Sequence, residues 1–395
     1  MKRPFLFIIC IFFLLTGCWN NQELDQVALV HGVGLDYDKS DEMIKMSVEI
    51  IKPTNQQEGG QIGSQGKGQH IILEHEAPAL LDAARGLIRY AKRRLDFGHA
   101  TAWIISEALA KEDFFIYSLD AIRRDQMLRL NSFLLITDQD PNEILGTPTL
   151  YENLSSNELV SALDQTRFIE EFSPVTLREF FKLLEEPIHN AYAPIITIQN
   201  VGKETITTIN ETAVIKNTKM VGKLNQKETI GLNYLLNRIK GGSVSVLMNE
   251  KDRTSLEIKK AHTKINPQLN GKRLKVDIET NIEGTISENV PKLKVTEKYF
   301  TEIETKFSRQ VEENMQAALK KLQGDLRTDI TRIGSITYRK YPKKWQAIRS
   351  EWNDIFANAE ITIHVDTNIT HQGLINENIN RDHKKPNNNP YRFSK

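Results

Sequence analysis

Cysteine is scarce in this chain. There are two in 395 residues, Cys10 and Cys18, so everything after Cys18 is free of thiols. That excludes a disulfide framework, a thiolate nucleophile and a cysteine-ligated metal in the body of the protein. Long apolar runs are scarce as well. Phe5 to Leu15 spans eleven residues, short of the ~20 that cross a bilayer as a helix, and no later stretch approaches that length. Charge bias is also missing. Lys plus Arg number 52 and Asp plus Glu 51, a net charge of +1, so the basic field expected of a nucleic-acid binder is absent. No HExxH, GxSxG or SxxK occurs, and the glycines at 63, 66 and 68 are not followed by Gly-Lys-Ser/Thr. These absences weigh against a zinc protease, a serine hydrolase and a phosphate cradle. No repeat of fixed period is found.

What the chain does have begins at its start. Lys2 and Arg3 precede the apolar run, and Leu15-Thr16-Gly17-Cys18 follows it. A cationic start, a short apolar segment and small residues at a cut site make a secretory signal. Small residues ending on a cysteine match the bacterial lipobox. Residues 1–17 are then a signal peptide, cleaved between Gly17 and Cys18. Cys18 carries an S-diacylglycerol and, on its new amino group, an N-acyl chain of the palmitate kind. Losing Lys2 and Arg3 leaves 50 basic against 51 acidic residues. The lipid is the only anchor this reading supplies.

Periodicity predicts a mixed α+β fold, with largely antiparallel sheets, packed amphipathic helices and two to three domains. Trp19 to Gln26 reads as a tether. Val27 to Asp36 and Ile44 to Ile51 read as paired strands, with a Gln- and Gly-rich surface loop from 53 to 69. A strand starts at His70. Leu80, Leu81, Ala84, Leu87, Ile88, Ala91 and Leu95 predict a helix from Pro78 to Phe97, closed at Gly98. A strand (101–106), a helix (108–125) and a strand (128–137) follow, so the order β-α-β-α-β predicts a partly parallel sheet. Short helices at 157–166 and 175–184 lead to a strand at 193–201. A boundary near Gly202 divides an N-terminal α/β domain (18–201, with a separable helical part at about 138–200) from a C-terminal α+β domain (202–375). In the latter, a hairpin (205–216, 220–224) precedes a helix (228–239) and three alternating strands (243–248, 256–265, 274–286). A long helix with Phe300, Ile303, Phe307, Val311, Met315, Leu319 and Leu322 on one side ends or kinks at Gly324. Leu326, Ile330 and Ile333 continue helically. Trp345, Ile348, Trp352 and Ile355 mark another helix, and Ile361 to Val365 a last strand. Residues 376–395 are rich in Asn, Lys and Pro and read as a disordered tail.

Few residues offer chemistry. Asp36, Asp38, Ser40 and Glu42 alternate like the start of a calcium loop. Asp41 and Ser47 occupy the positions that want Gly and Glu, so a solvated turn is the better reading. His70, His75 and His99 lack a ligand set, and His99 reads as a capping or packed residue. The long helix and the Trp345/Trp352 pair read as core. No catalytic, metal or cofactor residue is nominated; Cys18 is the one site.

Several stretches carry a family resemblance. They are Leu15-Thr16-Gly17-Cys18-Trp19-Asn20, Val30-His31-Gly32-Val33-Gly34-Leu35-Asp36 and Asp96-Phe97-Gly98-His99. Ala213-Val214-Ile215-Lys216 with Gly222-Lys223-Leu224, and Tyr341-Pro342-Lys343-Lys344-Trp345 before Trp352, complete the set. In this order along nearly the whole chain they resemble the Ger(x)C spore germination lipoproteins, the C subunits of nutrient germinant receptors. Asn20 departs from the Asp usual in that family after Cys-Trp. The resemblance implies a non-enzymatic subunit, without a cofactor and without nucleic acid. It would be lipid-anchored through Cys18 on the outer face of the spore inner membrane, beside integral-membrane A and B subunits. The rival reading is a solute-binding lipoprotein that captures the nutrient itself; the alternating strands of the second half argue against its usual two doubly wound lobes.

Overall fold

Residues 26–51, 70–124, 128–249, 253–289 and 297–371 are described by the computed structural model. Alternating apolar residues make β1 (Val27–Asp38) and β2 (Met43–Ile51), which pair antiparallel, and β3 (His70–Ala77) adds to β2. β4 (Arg94–Asp96) lies parallel to the first residues of β1, Val27 opposite Arg94 and Leu29 opposite Asp96. β5 (Ala102–Ser106) and β6 (Phe133–Thr137) continue in parallel, and β7 (Asn190–Val201) meets β6 through one pair, Ile136 with Ile195. β8 (Glu204–Lys216) and β9 (Lys219–Leu224) close the sheet antiparallel. The result is a nine-stranded mixed sheet ordered β3-β2-β1-β5-β6-β7-β8-β9, with β4 beside β1. Gly202 (φ +65°) forms the turn between β7 and β8, so residues 204–224 extend the first sheet.

Both faces of this sheet are covered. β5 is buried at every residue, as parallel strands flanked by helices are. Trp103 and Ile105 face α1 (Leu80–Ala91), α2 (Glu107–Ala110), α3 (Phe114–Arg124) and α6 (Leu177–Glu185). Ala102 and Ile104 face α4 (Pro141–Gly146) and α5 (Ser155–Leu163) in a second apolar cluster. Glu49, fully buried in β2, accepts the backbone N–H of Ser155 (2.8 Å) and Ser156 (3.1 Å), so its carboxylate caps α5 from another element.

The second sheet is β10 (Ser243–Leu247), β11 (Arg253–Asn270), β12 (Arg273–Asn289) and β13 (Glu360–His371). The first three are antiparallel, but β13 joins β12 in parallel. A parallel neighbour needs a long crossover. It is supplied by α8 (Glu297–Gln323), α9 (Ile333–Lys340), α10 (Pro342–Ile348) and α11 (Trp352–Ala357). The apolar stripe of α8 is buried: Ile303, Phe307, Val311 and Met315 are at most 1% exposed. Trp345 and Trp352 pack together in the same core, ring centroids 4.9 Å apart.

Several predicted boundaries shift. The helix foreseen at 78–97 stops at Ala91, because Lys92 adopts a left-handed φ of +54° and its N–H returns to Ile88 O. Leu95 is buried instead as a strand residue of β4. The helix foreseen at 108–125 breaks into α2 and α3, and the strand foreseen at 128–137 begins at Phe133. The helix foreseen at 228–239 is α7 (Gln226–Leu235), whose Asn225/Glu228 capping box opens it and which ends before the left-handed Asn237. Leu326 and Ile330 lie in an irregular segment, and the Trp345–Ile355 helix is two helices joined by a 3-10 turn. The 53–69 loop and the 376–395 tail lie outside the described residues.

α7 crosses α8 at Gly231, where a methyl group would sit 2.0 Å from the backbone oxygen of Asn314. Backbone cannot give way as a side-chain tip can, so the helices must separate. Gly231→Ala is expected to cost about 2–3 kcal/mol, read as a lower urea midpoint at unchanged slope; a midpoint equal to wild type would contradict this packing.

Candidate functional site

Cys18, the site residue read from the sequence, lies outside the described residues. The first described strand, β1, begins at Val27, against β4 at Arg94. The Asp36–Glu42 run ends β1 at Asp38 and turns into β2 over 39–42, and the Asp38 carboxylate accepts Ser40 N (2.8 Å) and Oγ (2.6 Å). These hydrogen bonds hold its pKa below the usual carboxylate value. No cluster of three or more His, Cys, Asp or Glu side chains suited to a metal occurs among the described residues.

The histidines come together differently from their spacing. His99 is not alone: its ring lies 6.2 Å from that of His31, while Thr101 N donates to His31 O (2.8 Å). Both His31 ring nitrogens are buried without a hydrogen-bond partner among the described residues. Burial first, and the neighbouring His99 second, lower the His31 pKa and favour its neutral form. The two stretches Val30–Asp36 and Asp96–His99, far apart in sequence, thus form one structural unit. Sequence reasoning passed over His31. No local sequence signal joins the two, because it is the parallel pairing of β1 with β5 that brings them together. His70 instead lies 3.8 Å from Glu49, and His75 packs edge-on against Tyr90.

A crevice of about 360 Å³ opens where the segment before α6 meets the end of α7. Leu163, Thr166, Glu170, Phe172, Asn233 and Lys240 are among its walls. Asn233 Nδ2 donates to Glu170 O (2.8 Å) and Phe172 O (3.1 Å), and Tyr234 Oη donates to Glu170 Oε2 (3.1 Å). Arg238 holds Pro174 O and lies 5.4 Å from the centroid of the Tyr192 ring. Burial pushes the Glu170 carboxyl up to about 7, against the opposing Tyr234 hydrogen bond and with help from Glu171. Such a crevice can hold a small polar solute. The hydrogen bond that reaches the Glu170 carboxylate is donated by Tyr234, so this carboxylate acts there as an acceptor.

A carboxyl raised above its unfolded value stabilises the fold at low pH, and that stability is lost as pH rises from about 4.5 towards about 7. Glu170→Gln should remove this loss. Wild type is expected to lose about 2 kcal/mol more than the variant between pH 5 and 8, discounted for its residual solvent contact. Parallel stability profiles from thermal melts across that range would refute the shift.

Two family models divide the chain. "Spore germination protein N-terminal domain" matches residues 20–198, and "Spore germination B3/ GerAC like, C-terminal" matches 210–373. The chain is similar to spore germination protein KC of Bacillus subtilis (strain 168), at 24% identity over 94% of this chain and 96% of that one. It is also similar to spore germination protein A3 of the same organism, 26% identical over 91% of this chain and 95% of the relative. The crystal structure of the GerBC protein shares the fold, with a TM-score of 0.54 at 19% identity, covering 86% of this chain and 97% of that one. With both halves matched in order and relatives aligned almost end to end, the chain belongs to the GerAC-like family of spore germination proteins.

Proposed function

We propose that this chain is the C subunit of a nutrient germinant receptor, a non-catalytic assembly or signalling component needed for spore germination. A diacylglycerol on Cys18 holds it on the outer face of the spore inner membrane, beside integral-membrane A and B subunits. The observation that carries this reading is the pair of family models covering 20–198 and 210–373 in one chain. Two further features support it. No helix among the described residues is long and apolar enough to cross a membrane, and a lipobox precedes the body. A two-dimensional anchor raises the effective concentration of neighbours, so that weak contacts suffice.

Mass spectrometry of the chain from spore membranes tests the reading directly. The expected amino-terminal peptide starts at Cys18 and carries the diacylglyceryl mass, and the A and B subunits co-purify with it. An amino terminus at Met1, or an unmodified Cys18, overturns the anchor. The crevice at Glu170 favours a second reading, in which the chain itself captures a small solute. Calorimetry with amino acids and sugars separates the two: submillimolar binding that is lost on filling the crevice, as by Thr166→Trp, selects capture.

A further inference from the structure

One face of α1 is built for a surface it does not meet within the chain. Leu81, Arg85, Ile88 and Arg89 recur at steps of four, three and one, which places them on a single stripe of the helix, and Lys92 follows as its left-handed C-terminal cap. All five are exposed, Leu81 by 58% and Ile88 by 42%. The opposite face, with Ala83 and Leu87 fully buried, packs on the first sheet. Arg85, Arg89, Lys92 and the adjacent Arg93 enter no ion pair among the described residues, whereas Lys45, Arg123 and Lys223 do. Leu81 also borders an apolar crevice of about 80 Å³ with Ala84, Phe97 and Ile122. Apolar side chains interleaved with long cations, whose stems are themselves apolar, are the composition of a helix lying in a membrane interface.

The place of this stripe in the fold names its occupant. The turn that ends α1 runs directly into β4, which pairs with the first residues of β1. Eight residues separate Cys18 from Val27, nine steps with a reach of at most about 31 Å when fully extended. Lys92 and Arg93 immediately precede the strand neighbouring Val27, and neighbouring strands are about 4.8 Å apart. The tether therefore enters the body next to its unpaired cations.

We propose that the α1 stripe rests on the anionic headgroup layer of the membrane that holds the Cys18 lipid, and so fixes which way the body faces. This rests on the anchor proposed above. Ile88 and Leu81 enter the interface, and Arg85, Arg89 and Lys92 pair with lipid phosphates.

The mature body has no cysteine beyond the acylated Cys18, so a single introduced thiol is a clean probe. The lipidated full-length chain is labelled with a nitroxide at Ile88→Cys or, on β11, at Lys264→Cys. It is reconstituted in vesicles of phosphatidylcholine with about one-third phosphatidylglycerol. A water-soluble nickel relaxer is expected to reach position 264 at least fivefold better than 88. Arg85→Glu/Arg89→Glu/Lys92→Glu should erase that difference while the chain still floats with the vesicles and melts normally. Equal access at 88 and 264, or shielding of 88 that survives the charge reversal, overturns the inference and leaves the anchor standing. A chain that does not float overturns the anchor, and this inference with it.

Discussion

Replacing Cys18 with alanine is expected to move the protein from the membrane fraction to the soluble fraction and to abolish germination in response to the matching nutrient. The magnitude follows from the anchor. Each buried CH₂ contributes about 0.8 kcal/mol, so one acyl chain binds marginally and two bind persistently. The variant keeps Phe5 to Leu15, eleven apolar residues, which fall short of the ~20 needed to span a bilayer. Once the chain is free, its encounter with membrane partners loses roughly two to four orders of magnitude of avidity. Fractionation of spore extracts measures the release, and loss of optical density with release of dipicolinate measures germination. Normal germination by spores whose variant chain is soluble would refute the assembly role. Retention of the variant in membranes would show that the uncleaved Phe5–Leu15 segment or another part of the chain holds it there. The Ile88 and Arg89 stripe on α1 is the surface to test next in that case.

Most of the fold was legible because alternation and helical spacing report burial locally. Ile44, Met46, Val48 and Ile50 of β2 are all at most 3% exposed, as their period-two spacing foretold. The stripe of α8 was equally plain over its 27 residues. What failed were termini fixed by single backbone conformations. Lys92 ends α1 with a positive φ, although lysine carries no marker for it and Gly98 seemed the natural stop. Sequence also cannot say that β13 returns parallel to β12, since its alternation is the same in either direction. For the candidate site, sequence offers a motif only where covalent chemistry would write one, and that residue lies outside the described ones. Cys18 carries a lipobox, whereas the pairing of His31 with His99 and of Glu170 with Tyr234 depends on strand order and on a helix 64 residues away. The α1 stripe was visible as one amphipathic helix, but its second, outward apolar-cationic face was not separable from the buried one until burial was known.

Asp329→Ala is expected to be the most damaging single change in the body, at about 3–5 kcal/mol. The side chain is fully buried and every lone-pair direction it presents is used. Thr331 N (2.9 Å) and Thr331 Oγ1 (2.7 Å) donate to Oδ1; Gly334 N (2.7 Å) and Trp352 Nε1 (3.0 Å) donate to Oδ2. Alanine strands four buried donors at once, and each costs about 1–3 kcal/mol when it finds no acceptor. Relief from burying a carboxylate offsets part of that cost, and the Thr331 hydroxyl can turn elsewhere, which keeps the net below the sum. The residue also ties the two sheets together. Its backbone oxygen accepts from Asn190 Nδ2 (3.1 Å) at the start of β7, while nearby Arg332 and Ser335 hold Glu186 just before that strand. The start of α9 and the indole of α11 therefore share the Asp329 carboxylate, while the first sheet is held by the same residue's backbone carbonyl. Asn at 329 separates charge from geometry. Its oxygen can serve the Thr331 pair, but its NH₂ then faces the N–H groups of Gly334 and Trp352, so about half the penalty should remain. Urea unfolding gives the free energies, and near-ultraviolet circular dichroism reports the Trp345–Trp352 contact, which should weaken in both variants. An alanine variant within about 1 kcal/mol of wild type, with that signal intact, would mean the four donors have other acceptors and the joint does not depend on this carboxylate.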